Sequence, residues 1–155
     1  MKKILLVTFT FIISLTLMGC GAKNVEGTLE EIMSKVYSTL GEDETPMMLT
    51  NTEITKENIE MYLGTSDIEF EEALASESAT GSIAHSVVLL RVKDNADVEA
   101  IKEKIEDNVN PRKWICVGVE EDDIVVENKG NLIILIMVSD EATREKLETS
   151  FENLK

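Results

Sequence analysis

The chain has 155 residues, of which 15 are basic and 30 acidic, a formal net charge of −15 at pH 7, and 43% of its residues are hydrophobic. That length suits one domain better than two. The charge disfavours a nucleic-acid surface, since no basic patch is present to displace counterions from phosphates, and it likewise disfavours electrostatic docking to anionic lipid headgroups.

Lys2 and Lys3 open the chain, and an apolar stretch from Ile4 to Leu17 follows, interrupted only by Thr8, Thr10, Ser14 and Thr16. This is the charged start and apolar middle of a secretory signal. A membrane-crossing helix needs about 20 apolar residues, and this run ends sooner, at Gly19-Cys20-Gly21, with no cluster of positive charge beyond it. The run closes on Leu17-Met18-Gly19-Cys20. That tetrapeptide resembles the lipobox of bacterial lipoproteins, in which a small residue before the cysteine lets a peptidase reach the bond and the thiol takes up a diacylglyceryl group. The resemblance implies cleavage between Gly19 and Cys20, lipid on Cys20, and residence on the outer face of the cell membrane (the outer membrane in a Gram-negative source). Two acyl chains give a stable anchor where one does not.

Removing residues 1–19 from the 155 leaves 136, and loss of Lys2 and Lys3 leaves 13 basic residues against 30 acidic, a net charge of −17. Residues 20–27 then read as the lipidated cysteine and a short tether, and 28–155 as one globular domain. At roughly 3.5 Å per residue the seven residues from Gly21 to Gly27 reach at most about 25 Å. Cys116 is the only thiol left after lipidation, so no intramolecular disulfide can form. Its neighbours Trp114, Ile115, Val117 and Val119 suggest a small buried hydrophobe.

Thr28-Leu29-Glu30-Glu31 is a capping-box pattern, and Leu29, Ile32, Met33, Val36, Tyr37 and Leu40 recur at helical spacing up to Gly41. Glu42 to Asn51 reads as a loop carrying Met47, Met48 and Leu49 as apolar pegs. Thr55 then caps a short helix with Ile59, Met61, Tyr62 and Leu63 that Gly64 stops. Alternation of Ile68 and Phe70 with Glu69 and Glu71 predicts a strand over 67–75, and Ser76 to Ser82 a turn. Ile83 to Val92 is apolar on both parities, as interior strands are.

Asp94 or Asn95 is expected to cap a helix with Val98, Ile101, Ile105 and Val109 on one face. Trp114 to Val119 is a weakly bounded strand candidate. Ile124–Glu127 and Leu132–Val138 flank Asn128-Lys129-Gly130-Asn131, a hairpin whose glycine supplies a positive φ. Ser139 or Asp140 starts a closing helix with Leu147, Phe151 and Leu154 inward. The expected class is α+β: a two-layer sandwich with a mostly antiparallel sheet of about four strands covered by helices, plus one or two N-terminal helices.

Between Glu60 and Phe151, the Val92-Lys93-Asp94 strand end before the Val98/Ile101/Ile105 helix, and Gly130 before an apolar strand running into Ser139-Asp140, resemble an uncharacterised family of Gram-positive lipoproteins, catalogued as domain of unknown function 4358. The resemblance implies a lipoprotein address and a shared domain. It implies no activity and no active-site residue.

Chemistry is sparse. His85 is the only histidine, which rules out a multi-histidine metal site within one chain. A Ser-His-Asp arrangement through Ser82 or Ser86 lacks a nucleophile elbow or oxyanion loop, so His85 reads as structural. Glu120, Glu121, Asp122 and Asp123 are the candidates for holding a cation, but lack the alternation and glycine of a calcium loop. A solvated connection is the simpler reading. No glycine cluster cradles a phosphate, and no cofactor signature is present.

The function expected from these features is a non-enzymatic, membrane-anchored binding or assembly domain. Its partner would be another protein or envelope component, with no nucleic acid involved. The alternatives are a small wall-modifying hydrolase built on carboxylates and weak cation or small-solute binding.

Overall fold

The structure, a computed structural model, describes residues 24–155. The expected signal stretch, Gly19 and Cys20 lie outside the described residues. The chain forms α1 (Leu29–Tyr37), β1 (Leu49–Glu53), α2 (Ile59–Leu63), β2 (Glu72–Ser78), β3 (His85–Arg91), α3 (Val98–Asn108), β4 (Ile124–Lys129), β5 (Leu132–Val138) and α4 (Glu141–Glu152). The five strands make one sheet in the order β1-β2-β3-β5-β4, every pairing antiparallel. The α+β class and the antiparallel sheet are therefore as expected, one strand wider and with helices on both sides.

The layering follows from strand periodicity. Successive side chains point to opposite faces, and β3 and β5 are apolar at both parities, so neither face can be left to water. Leu74, Val87, Leu89, Leu132, Ile134 and Ile136 pack under α1 and α4, against Ile32, Met33, Val36, Leu147 and Phe151. Ala73, Ala75, Val88, Leu90, Ile133 and Leu135 pack under α2 and α3, against Ile59, Tyr62, Leu63 and Ile105. The sheet is thus the middle of three layers.

Several boundaries move. Ser76 and Ser78, read as turn residues, lie buried in β2, which runs over 72–78 rather than 67–75. The Ile68/Phe70 alternation belongs to an irregular segment laid on the α2–α3 core, where Ile68 is buried. β1 begins inside the stretch whose composition predicts a loop, because its sequence, Leu-Thr-Asn-Thr-Glu, is polar; it is an edge strand with most side chains outside the core. Trp114 to Val119 forms no strand.

Local rules held where a specific group had to be satisfied. Thr28 accepts from the Glu31 amide and Glu31 returns a bond to the Thr28 amide, closing the capping box. Helix α3 is capped by Asp97, two or three residues beyond the expected caps, and α4 by Asp140. Asn58 rather than Thr55 stands at the α2 N-terminus, and its side chain accepts from the Thr55 amide at 2.7 Å. Residues 24–27, expected within the tether, lie against the domain: Val25 is buried, and Arg91 Nη2 donates to the Gly27 carbonyl at 3.0 Å.

Gly64 closes α2 at φ 74, and a β-carbon there would sit 1.8 Å from the Asn108 carbonyl oxygen. Both the left-handed conformation and the backbone contact require glycine. Gly64→Ala in a chain begun at Gly21 should therefore lose about 3 kcal/mol in urea unfolding, from the sum of left-handed strain and overpacking. A loss under about 1 kcal/mol would show that α2 and α3 do not meet in this way.

Candidate functional site

The chemically capable side chains gather where β2 ends and β3 begins. His85 and Ser86 are adjacent in β3, so the pleat sends them to opposite faces. On the α1–α4 face, buried His85 meets the last residue of α1, with Tyr37 Oη and His85 Nε2 2.7 Å apart. Burial holds the imidazole neutral, pulling its pKa from 6.5 down to about 4 against the opposing pull of Glu77. Burial likewise pushes the Tyr37 phenol above its ordinary value. Nucleophilic use of this histidine with Ser86 is precluded by the pleat, and Ser82 lies in the exposed connection before β3.

On the opposite face, Ser86 pairs across the strands with Glu77 and donates to its Oε1 at 2.6 Å. The irregular segment 109–120 lays Lys113 over this pair. Lys113 Nζ donates to Glu77 Oε1, and to Ser86 Oγ at 3.0 Å. The same ammonium lies 5.4 Å from the ring centroids of both Tyr62 and Trp114, within cation–π range. Desolvation draws the Lys113 pKa down, and Glu77 pulls it back. Neither Lys113 nor Glu77 stands out in the sequence; the one signal is a basic pair, Arg112-Lys113, directly before the apolar residues that begin at Trp114.

These contacts pin the 109–120 segment to the sheet. Ile115 N adds a bond to the Gly81 carbonyl at 2.9 Å, and within the segment Val119 N donates to Pro111 O at 3.0 Å, closing it into a loop. Cys116, expected to be buried, is exposed at φ 66, because the segment turns there rather than pairing as a strand. Ile115 beside it is 74% exposed, and Met47 and Met48 at the start of β1 are 79% and 68% exposed. Met48 O accepts from Ala79 N, so all three residues flank the 79–84 connection.

The acidic run forms one 3-10 turn, Glu121–Asp123, at the start of β4. Arg112 reaches Glu120 at 3.5 Å and Arg144 reaches Asp123 at 2.7 Å, so its two ends are matched by guanidinium groups. Among the described residues no three His, Cys, Asp or Glu side chains are placed to share a metal ion. Two open depressions of about 290 and 300 Å³ flank the run, one lined by Arg112, Glu120, Glu121 and Asp122, the other by Glu106, Asp107 and Glu121. A further open groove of about 400 Å³ lies between α1 and α4, bordered by Lys35, Ser38, Thr149, Asn153 and Lys155. None of the three contains His85, Ser86, Glu77 or Lys113.

The N-terminal corner is the other built feature. Asn24 Nδ2 donates to Asp94 Oδ1 at 2.8 Å, Asn131 N donates to Asn24 Oδ1 at 3.2 Å, and Asn131 Nδ2 donates to Asp94 Oδ1 at 3.0 Å. Three sequence-distant segments are joined by amide and carboxylate groups alone. No protein-family model, curated protein or solved structure matches the chain.

Two measurements check these assignments. His85 titrates near 6.5 unfolded and near 4 folded, so the unfolded chain binds the extra proton first and stability falls as pH drops through that window. The loss should be on the order of 3 kcal/mol, complete below about pH 4. Denaturant midpoints against pH should show a shallower fall over pH 6.5 to 4 in His85→Asn, and identical slopes would contradict the buried neutral ring. Lys113→Met strands Glu77 and should cost about 2 kcal/mol, with the double change Lys113→Met and Glu77→Gln recovering part of it. Full additivity of the two changes would mean that the pair does not interact.

Proposed function

We propose that the chain is a lipid-anchored domain on the outer face of a bacterial cell membrane, and that it binds or assembles with an envelope component without turning it over. The lipobox-like Leu17-Met18-Gly19-Cys20 supports the address. The observation that carries the reading is the Asn24 corner: only four residues after Cys20, the Asn24 side chain donates to Asp94 and accepts from the Asn131 amide. A protein so closely coupled to its first mature residue is suited to acting beside the bilayer.

The binding reading is supported by how the reactive groups are used. His85 and Ser86 are almost wholly buried, and they, Glu77 and Lys113 face each other or Tyr37 rather than any of the described cavities. Buried pairs of this kind hold elements in register. The net charge of −17 on the mature chain selects cationic or neutral partners over anionic ones.

In cells, the full chain should fractionate with membranes, resist high salt and yield only to detergent. With residues 1–19 exchanged for an ordinary cleavable secretory leader and Cys20→Ser, the domain should appear almost wholly in the soluble extracytoplasmic fraction. Retention of that variant on the membrane would sink the anchor and direct attention to the α1 helix instead.

A further inference from the structure

The two edges of the sheet are guarded unequally. β4 carries Glu127, paired with Lys102, and Lys129, bonded to the Glu152 and Leu154 carbonyls, and the acidic turn precedes it. Charges of this kind keep an edge from accepting another strand. β1 has no lysine, proline or bulge, and its one charge is on its last residue, Glu53. Ala79 N donates to Met48 O and Ile54 N to Ala73 O, so the even-numbered residues of β1 bond to β2. In an antiparallel ladder the alternate residues turn their amides and carbonyls the other way, so those of Leu49, Asn51 and Glu53 face outward. The Glu53 carbonyl accepts from Asn58 Nδ2 at 3.1 Å. The Glu53 amide and both backbone groups of Leu49 and of Asn51 have no partner among the described residues. Thr50, Asn51 and Glu53 are exposed, and so are Met47 and Met48 at the start of the strand.

We propose that β1 is a self-association edge: a second copy of this chain pairs with it antiparallel, about a two-fold axis at Asn51, and the sheet continues across both molecules. Sequence and register choose a second copy over a foreign strand. Thr50-Asn51-Thr52 reads the same in both directions, so an antiparallel copy centred there sets Asn51 against Asn51 and Thr50 against Thr52. The outward residues then fall on the bonded pairs of the new ladder. Asn51 exchanges amide and carbonyl bonds with its copy, and the Glu53 amide of each molecule meets the Leu49 carbonyl of the other. Thr50 and Thr52 fall on the non-bonded pairs, where side chains approach most closely and threonine pairs are favourable. The same register sets residues 47 and 48 of each copy opposite 55 and 54 of the other, so the exposed methionines stand at the seam. Charge opposes the pairing. Within the strand the cost is small, because Glu53 faces Leu49 and the two Glu53 residues are four steps apart, about 14 Å, beyond a Debye length of roughly 8 Å. Around it, exposed Glu42, Asp43, Glu57 and Glu60 and the net charge of each body repel. Salt screens that repulsion, so the pairing strengthens as salt rises.

The test uses the full chain carrying Cys116→Ser, with Asn51→Cys or Glu53→Cys added, both at exposed positions. Each protein, purified in detergent, is oxidised with copper phenanthroline and run on a non-reducing gel. Bonded partners in an antiparallel ladder have α-carbons about 5.5 Å apart, within disulfide reach, whereas position 53 would lie about 14 Å from its copy. Asn51→Cys should give several-fold more dimer than Glu53→Cys, and more at physiological salt than at low salt. The Cys116→Ser parent supplies the background from any Cys20 thiol left without lipid, which keeps a failed anchor distinct from a failed pairing. Equal dimer at both positions, dimer that fades as salt rises, or none above the parent at Asn51→Cys overturns the proposal. Oxidation in the membranes of the producing cells that links Asn51→Cys into a product other than twice the chain mass would give the edge to a foreign partner instead.

Discussion

The β3–β5 pairing is the constraint on which the remaining structure depends. Its seven registered pairs, His85 with Val138 through Arg91 with Leu132, place apolar side chains on both faces of the sheet centre. A ribbon that is apolar on both sides has no solvent-facing solution, so helices must cover each face. Every other element finds its place relative to that pair. β2 and β4 flank it, polar β1 sits at the rim, and α1 with α4 and α2 with α3 close the two sides.

The same pair explains why the reactive-looking residues do not form an accessible centre. His85 and Ser86 begin β3, and the pleat drives one into each core layer. Each then needs a partner, since an unpaired polar group in such surroundings costs on the order of 1–3 kcal/mol. Tyr37 from α1 meets the histidine, and Glu77 with Lys113 encloses the serine. In both cases a polar side chain fixes how an outer segment sits on the sheet: the end of α1 on one face and the 109–120 segment on the other.

What could be read from the sequence was whatever a local group dictates. The Thr28 capping box, the glycine stop at Gly64, the Gly130 turn at φ 60 and the two central strands follow from nearest-neighbour chemistry. The buried state of His85 followed from its place in an apolar run. What escaped depends on contacts distant in sequence. Polar β1 is a strand only because β2 offers it a ladder, and Ser76 and Ser78 are strand residues only because β3 lies beside them. Cys116 was misplaced because apolar neighbours suggest burial, whereas Lys113 and the Gly81 contact fix the segment so that the thiol is turned out. The Glu77–Lys113 pair spans 36 positions, and no spacing rule announces it.

Asn24 is held by amide and carboxylate bonds to Asp94 and Asn131 where β3 ends and β5 begins, and Met47, Met48 and Ile115 are exposed around the 79–84 connection at the opposite end of the sheet. That arrangement has meaning for function only if the chain begins at a lipid-bearing cysteine. Mass spectrometry of the N-terminal peptide from membrane-extracted protein tests this most directly. The account predicts a peptide beginning at Cys20 with a diacylglyceryl group in thioether linkage. An unmodified peptide, or one beginning at any other residue, would contradict it.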